Sequence, residues 1–72
     1  MGEQTLENMT YIKCIIDHVD QKTQMGVSID LYSNNRVVIN DCGDIHRFTV
    51  SSQQLTHIEQ TQDIKVALSY KG

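Results

Sequence analysis

The chain has 72 residues, 39% of them hydrophobic and 21% charged, with six Lys and Arg against nine Asp and Glu for a formal net charge of −3. This length builds one domain at most, and the composition is too apolar for a disordered tail and too polar for a membrane span. With no Pro and no Trp, collagen-like and proline-rich architectures are excluded, and the mild acidic excess argues against a nucleic-acid binder that works by neutralising many phosphates.

Residues 1–9 are polar and carry neither the basic flank nor the apolar stretch of a secretory leader. They read as a flexible or short helical N-terminus ahead of a single small domain over 10–72, in a cytoplasmic protein. From Thr10 to Val19, Ile12, Cys14 and Ile16 alternate with Lys13 and Asp17 among β-branched neighbours, which predicts a strand. The rival is a helix from Leu6 to Val19, because Leu6, Met9, Ile12, Ile16 and Val19 recur at helical spacing. After a polar loop at 20–24, Val27, Ile29 and Leu31 alternate with Ser28, Asp30 and Tyr32 in the clearest half-buried strand of the chain. Asn34-Asn35 suits a tight hairpin turn, since Asn tolerates left-handed backbone. Arg36 to Asp41 returns as the hairpin partner, Gly43 marks the next turn, and Ile45 to Val50 is a further strand.

Ser51-Ser52 ends that strand and offers a hydroxyl cap to a short helix over 52–62, with Leu55 and Ile58 on its apolar stripe. Ile64, Val66, Leu68 and Tyr70 then alternate with Lys65, Ser69 and Lys71, which predicts a final strand over 63–71. The fold class is α+β: an antiparallel meander of three to four strands, a short helix and a last strand. It takes the shape of a small SH3-like barrel or of an open sheet with one helix packed on it. A domain this small gains from burying strands between two copies, so a homodimer is expected.

Cys14-x3-His18 and Cys42-x3-His46 contain two thiols and two imidazoles, a set that tetrahedral zinc accepts. On a strand, residues four apart are separated by about 13 Å, too far for one ion; the site needs a helical first segment. The cysteines are otherwise expected as small core hydrophobes, reduced and unpaired. No glycine-rich phosphate loop and no nucleophile motif is present, so no cofactor, no metal and no catalysis are expected.

The carboxylates Asp17, Asp20, Asp30, Asp41, Asp44, Glu59 and Asp63 fall mostly at strand ends, turns and outward positions, where they serve solubility and turn chemistry. Read more sharply, a row of them imitates duplex phosphates toward a basic groove on a DNA-acting enzyme. Lys13, Arg36, Arg47, Lys65 and Lys71 are interspersed with them. In the opposite reading, Arg36, Arg47 and Lys65 cluster with Tyr32 or Phe48 on one sheet face and make a cationic stacking platform, although Phe48, the single Phe, is expected in the core.

The stretch FTVSSQQLTHIEQTQDIKVALSYK, a serine-capped helix running into an alternating segment, is similar in element order to the small uracil-DNA glycosylase inhibitors encoded by some phages. The resemblance covers about residues 36–71. It implies an acidic, dimeric protein whose strand-and-helix face imitates DNA, with an apolar recess for a protruding leucine of the glycosylase. The family's helix carries aromatic residues on its binding face, where Leu55, Ile58 and Glu59 stand here.

The leading reading is therefore a non-enzymatic protein-binding module, an inhibitor of a DNA-acting enzyme such as uracil-DNA glycosylase by DNA mimicry. Its partner is another protein, a DNA-repair enzyme; it is a homodimer with no membrane association. Asp30, Asp41, Asp44, Leu55, Ile58 and Glu59 are the candidate contact residues. The alternative is a small nucleic-acid-binding, barrel-like protein.

Overall fold

Val27, Ile29 and Leu31 face one side of β2 (Met25–Tyr32), and Ile29 and Leu31 are buried there. Strand side chains alternate between faces, so this pattern puts one side of β2 into a core and leaves the other outward. A computed structural model describes residues 9–23 and 25–72. Over them, β1 (Tyr11–Asp20), β2, β3 (Arg36–Asp41) and β4 (Asp44–Thr49) run as an antiparallel meander in the spatial order β1-β2-β3-β4. Two helices follow, α1 (Ser52–Thr61) and α2 (Ile64–Ser69). The class is α+β, and of the two shapes expected it is the open sheet, not a closed barrel. The expectation of a flexible or helical N-terminus concerns residues of which 1–8 lie outside the described residues.

Both hairpins on β3 turn through left-handed backbone. Asn34 and Asn35 have φ of 63° and 59°, and Cys42 and Gly43 have 52° and 104°. Asn at the first pair and Gly at the second bear this at low cost. The Asn40 side chain adds a 2.8 Å bond from the Gly43 amide.

The first segment is a strand, not the rival helix, but its phase differs from simple alternation. The register with β2 shifts twice, between Tyr11 and Lys13 and between Cys14 and Ile16, so Ile12 and Ile15 are extra residues. Each such bulge flips which side the following residues face. The two flips cancel at Ile16, which enters the core as plain alternation expects, while Ile12 is 53% exposed and Lys13, expected outward, stands in the same row as buried Leu31. Both cysteines are exposed and free, a correction to their expected burial. The first bulge turns Cys14 to the outer face beside Asp30, and Cys42 is consumed by the β3–β4 turn.

Ser51 caps α1 as the sequence predicts. Its hydroxyl accepts from the Gln54 amide at 3.1 Å while the Gln54 side chain accepts from the Ser51 amide at 2.9 Å, a complete capping box. Gln62 ends the helix at φ 52° with its amide donating to the Ile58 carbonyl. The expected final strand is instead α2. Asp63 accepts from the Lys65 amide at 2.8 Å and opens a second helix. Ile64, Ala67 and Leu68 then form a stripe at helical spacing, with Ala67 fully buried.

The helices pack on one side of the sheet. Ile16, Ile29, Leu31, Val37, Ile39, Val50, Ile58 and Ala67 form the core, flanked by Ile15, Val27, Phe48, Leu55, Ile64, Leu68 and Tyr70. Phe48 is thus in the packed layer, as expected. Among the described residues no helix is long and apolar enough to cross a membrane.

Candidate functional site

With the helices on one side, no described helix or strand packs on the other face of the sheet, and the register fixes what it displays. Residues directly paired across strands share a face. Three rows result: Tyr11, Tyr32, Arg36 and Thr49; then Cys14, Asp30, Val38 and Arg47; then Asp17, Ser28, Asn40 and Ile45. All twelve are exposed or half-buried. The acids stand on β1 and β2, the guanidinium groups on β3 and β4.

The basic half holds a shallow recess of about 220 Å³ lined by Met9, Tyr32, Arg36, Val38 and Arg47. It is below the roughly 300 Å³ at which pockets begin to enclose a small molecule, so it suits one planar group or one charged moiety of a larger ligand. Tyr32 is braced by Tyr11, ring centroids 5.5 Å apart at 76°, edge to face. Among the described residues Lys13 pairs with Glu59, and no carboxylate stands within 4.0 Å of the Arg36 or Arg47 guanidinium. As diagonal cross-strand neighbours, the two arginines have Cα atoms about 7–8 Å apart.

The acidic half shapes its own surroundings. Lost hydration beside its neighbours and the Asp30 carboxylate push the Tyr11 hydroxyl upward in pKa. Lost hydration beside its neighbours, then Asp30 and Asp17, push the exposed Cys14 thiol up. That thiol donates to the Ile16 carbonyl at 3.2 Å.

The six candidate contact residues do not share one surface. Asp30 lies in the middle row of the open face, while Asp41 and Asp44 pair with each other beside the β3–β4 turn. Ile58 is fully buried and Leu55 packs half-buried against the core. Glu59 is held by Lys13 at 2.6 Å. Of the cationic cluster, Arg36, Arg47 and Tyr32 come together, whereas Lys65 lies on α2 and Phe48 on the helix side of the sheet. The pair Tyr11 and Tyr32 was missed; only the register, invisible without the bulges, brings them side by side.

The four zinc candidates are dispersed. Cys14 is on the open face, His18 in the row of Val27 on the helix side, and Cys42 in the turn. His46 contacts the Lys71 ammonium at 2.9 Å. Among the described residues no group of three or more His, Cys, Asp or Glu is placed to hold a metal ion. No protein family, curated protein or solved structure matches this chain.

Proposed function

We propose that the chain is a non-catalytic binding module for single-stranded nucleic acid, with the open sheet face as its platform. The observation that carries this reading is the juxtaposition, around one recess, of Tyr32, braced from outside it by Tyr11, with Arg36 and Arg47, two guanidinium groups that have no carboxylate partner among the described residues. A planar fork that finds no carboxylate is suited to a phosphate oxygen. The half-buried Tyr32 ring that lines the recess beside the two arginines offers a stacking surface that any base fits. The footprint is short. Two arginines engage about two phosphates, and at roughly 0.7 per phosphate for a single strand the logarithm of affinity falls with the logarithm of salt at a slope of about −1.4. Such a site is compatible with a net charge of −3, because it does not depend on a broad basic surface. The inhibitor reading draws less support, since the acids it needs lie on different parts of the molecule and Glu59 already has its cation.

Fluorescence anisotropy with short homopolymeric single strands, and a duplex as control, tests the proposal. Single strands bind, with little preference among bases and the shallow salt slope given above. Tyr32→Ala weakens binding by about fivefold to 150-fold, from the usual 1–3 kcal/mol of a base–aromatic stack. The double variant Arg36→Glu/Arg47→Glu abolishes it. Absence of binding at low salt, or binding that the double variant leaves intact, refutes the reading.

A further inference from the structure

The open face is complementary to itself. Its acids, Asp17 and Asp30, stand on β1 and β2, and its bases, Arg36 and Arg47, on β3 and β4, in rows fixed by the strand register. From this arrangement we infer that a second copy of the chain docks on the open face, Asp30 of each copy occupying the place of phosphate between Arg36 and Arg47 of the other. Self-association and nucleic-acid binding thereby exclude one another. The exclusion rests on the proposed function; the pairing of the two faces does not.

Two sheets packed face to face lie about 10 Å apart with their strands roughly aligned, and a closed dimer relates them by a two-fold axis in the plane between them. An axis parallel to the strands lays β2 of one copy over β3 of the other, and β1 over β4. Row by row, Tyr32 then meets Arg36, a ring against a guanidinium. Asp30 settles over Val38, flanked by Arg47 in its own row and Arg36 in the next. Asp17 settles over Ile45, one row from Arg47. An axis across the strands through the middle row instead sets Asp30 on Asp30 and Arg47 on Arg47, like charge on like. The distribution of charge therefore selects one orientation, and the face supplies apolar contact through Val38 and Ile45, the latter 48% exposed in the single chain.

The area sets the strength. Four strands wide and three rows deep, the face measures about 15–20 Å each way. The pair of faces buries on the order of 800 Å², below the roughly 1,200 Å² at which stable interfaces begin. Such a dimer is weak and salt-sensitive, and a competing polyanion displaces it readily.

Sedimentation of the full chain over a range of concentrations, at low and high salt, reads the outcome. The wild type passes from monomer to dimer at low salt and back toward monomer at high salt. Asp30→Arg and Arg47→Asp each shift the midpoint to a concentration at least about tenfold higher, because each sets like charges face to face. An equimolar mixture of the two variants recovers association. The guanidinium introduced on β2 of one copy then meets the carboxylate introduced on β4 of the other, and the copy that retains Asp30 finds both arginines on its partner. Adding a single-stranded oligonucleotide to the wild type replaces dimer by a complex of one chain per strand. A chain that stays monomeric at low salt, or a dimer indifferent to Asp30→Arg, or a mixture that fails to recover, overturns the pairing. A ternary complex of intact dimer and oligonucleotide overturns the exclusion alone. Charge-swap recovery without any oligonucleotide binding refutes the exclusion and the proposed function together and leaves the pairing standing.

Discussion

Lys13 on β1 and Glu59 on α1 close a 2.6 Å ion pair that joins the first strand of the sheet to the helix layer. One residue away from Glu59, Ile58 is fully buried among the core aliphatics. The two contacts look alike as links between layers but differ in worth. The ion pair is substantially solvent-exposed, so Glu59→Gln costs at most about 1 kcal/mol. Ile58→Ala removes core atoms and leaves a cavity, at about 2–5 kcal/mol. Urea unfolding of both variants checks the ratio; equal losses contradict it.

Gly26 has φ of 126°, and a Cβ there would collide with the His18 carbonyl oxygen and stand 2.9 Å from the Val19 Cα. Gly43 has a comparable φ of 104° but nothing within 4 Å. Gly43→Ala therefore carries only the backbone cost, about 1 kcal/mol, whereas Gly26→Ala adds a collision with backbone that has no flexible end to move. Gly26→Ala is expected to be the more destabilising by at least about 1 kcal/mol, measured by thermal or urea unfolding.

The Cys14 thiol sits above its ordinary pKa because its neighbours displace part of its hydration and because of the adjacent Asp30 and Asp17 carboxylates. Its thiolate is correspondingly scarce near neutral pH, and alkylation is slow. Asp30→Asn removes one of the negative charges opposing ionisation, so the pKa falls and more thiolate is present at any given pH below it. In a Cys42→Ser background, the iodoacetamide rate at fixed pH rises in Asp30→Asn, and its pH midpoint moves down. A midpoint that does not move contradicts the assigned cause.

Ser51 and Asp63 each accept a hydrogen bond from an amide of the helix they open. Ser51→Ala and Asp63→Ala each cost about 1 kcal/mol. If α2 depends on its cap as a helix does, Asp63→Asn and Asp63→Ser retain most of that stability, a pattern that urea unfolding of the three Asp63 variants separates from a general intolerance at this position.

Much of this fold is legible in the residues. The alternation of Val27, Ile29 and Leu31, the Asn34-Asn35 turn, the Arg36–Asp41 return strand and the Ser51 cap are all local signals, and local backbone chemistry decides them. Two departures have different causes, a short apolar pattern that fits two periods in the last segment and an interrupted register in β1. Ile64, Val66 and Leu68 alternate, but Ile64, Ala67 and Leu68 also fall at helical spacing, and the Asp63 cap with the available core surface selects the helix. In β1 the alternation is present but interrupted at Ile12 and Ile15, and no local rule announces which residue a bulge leaves over. The candidate site suffers from the same blindness. Arg36, Arg47 and Tyr32 are recognisable as a set by chemistry, but Tyr11 joins them only through a register that those bulges displace.

The bulges have a bearing on how the molecule keeps to itself. An uninterrupted outer edge is the template on which fibres grow, each new chain copying the hydrogen-bond spacing of the last. Along β1 that spacing is broken twice within five residues, and at the opposite side β4 offers only six residues. Lateral accretion into ribbons meets an irregular seam along β1 and only a short one along β4, so neither margin gives the exposed Ile12 and Ile45 a long regular template.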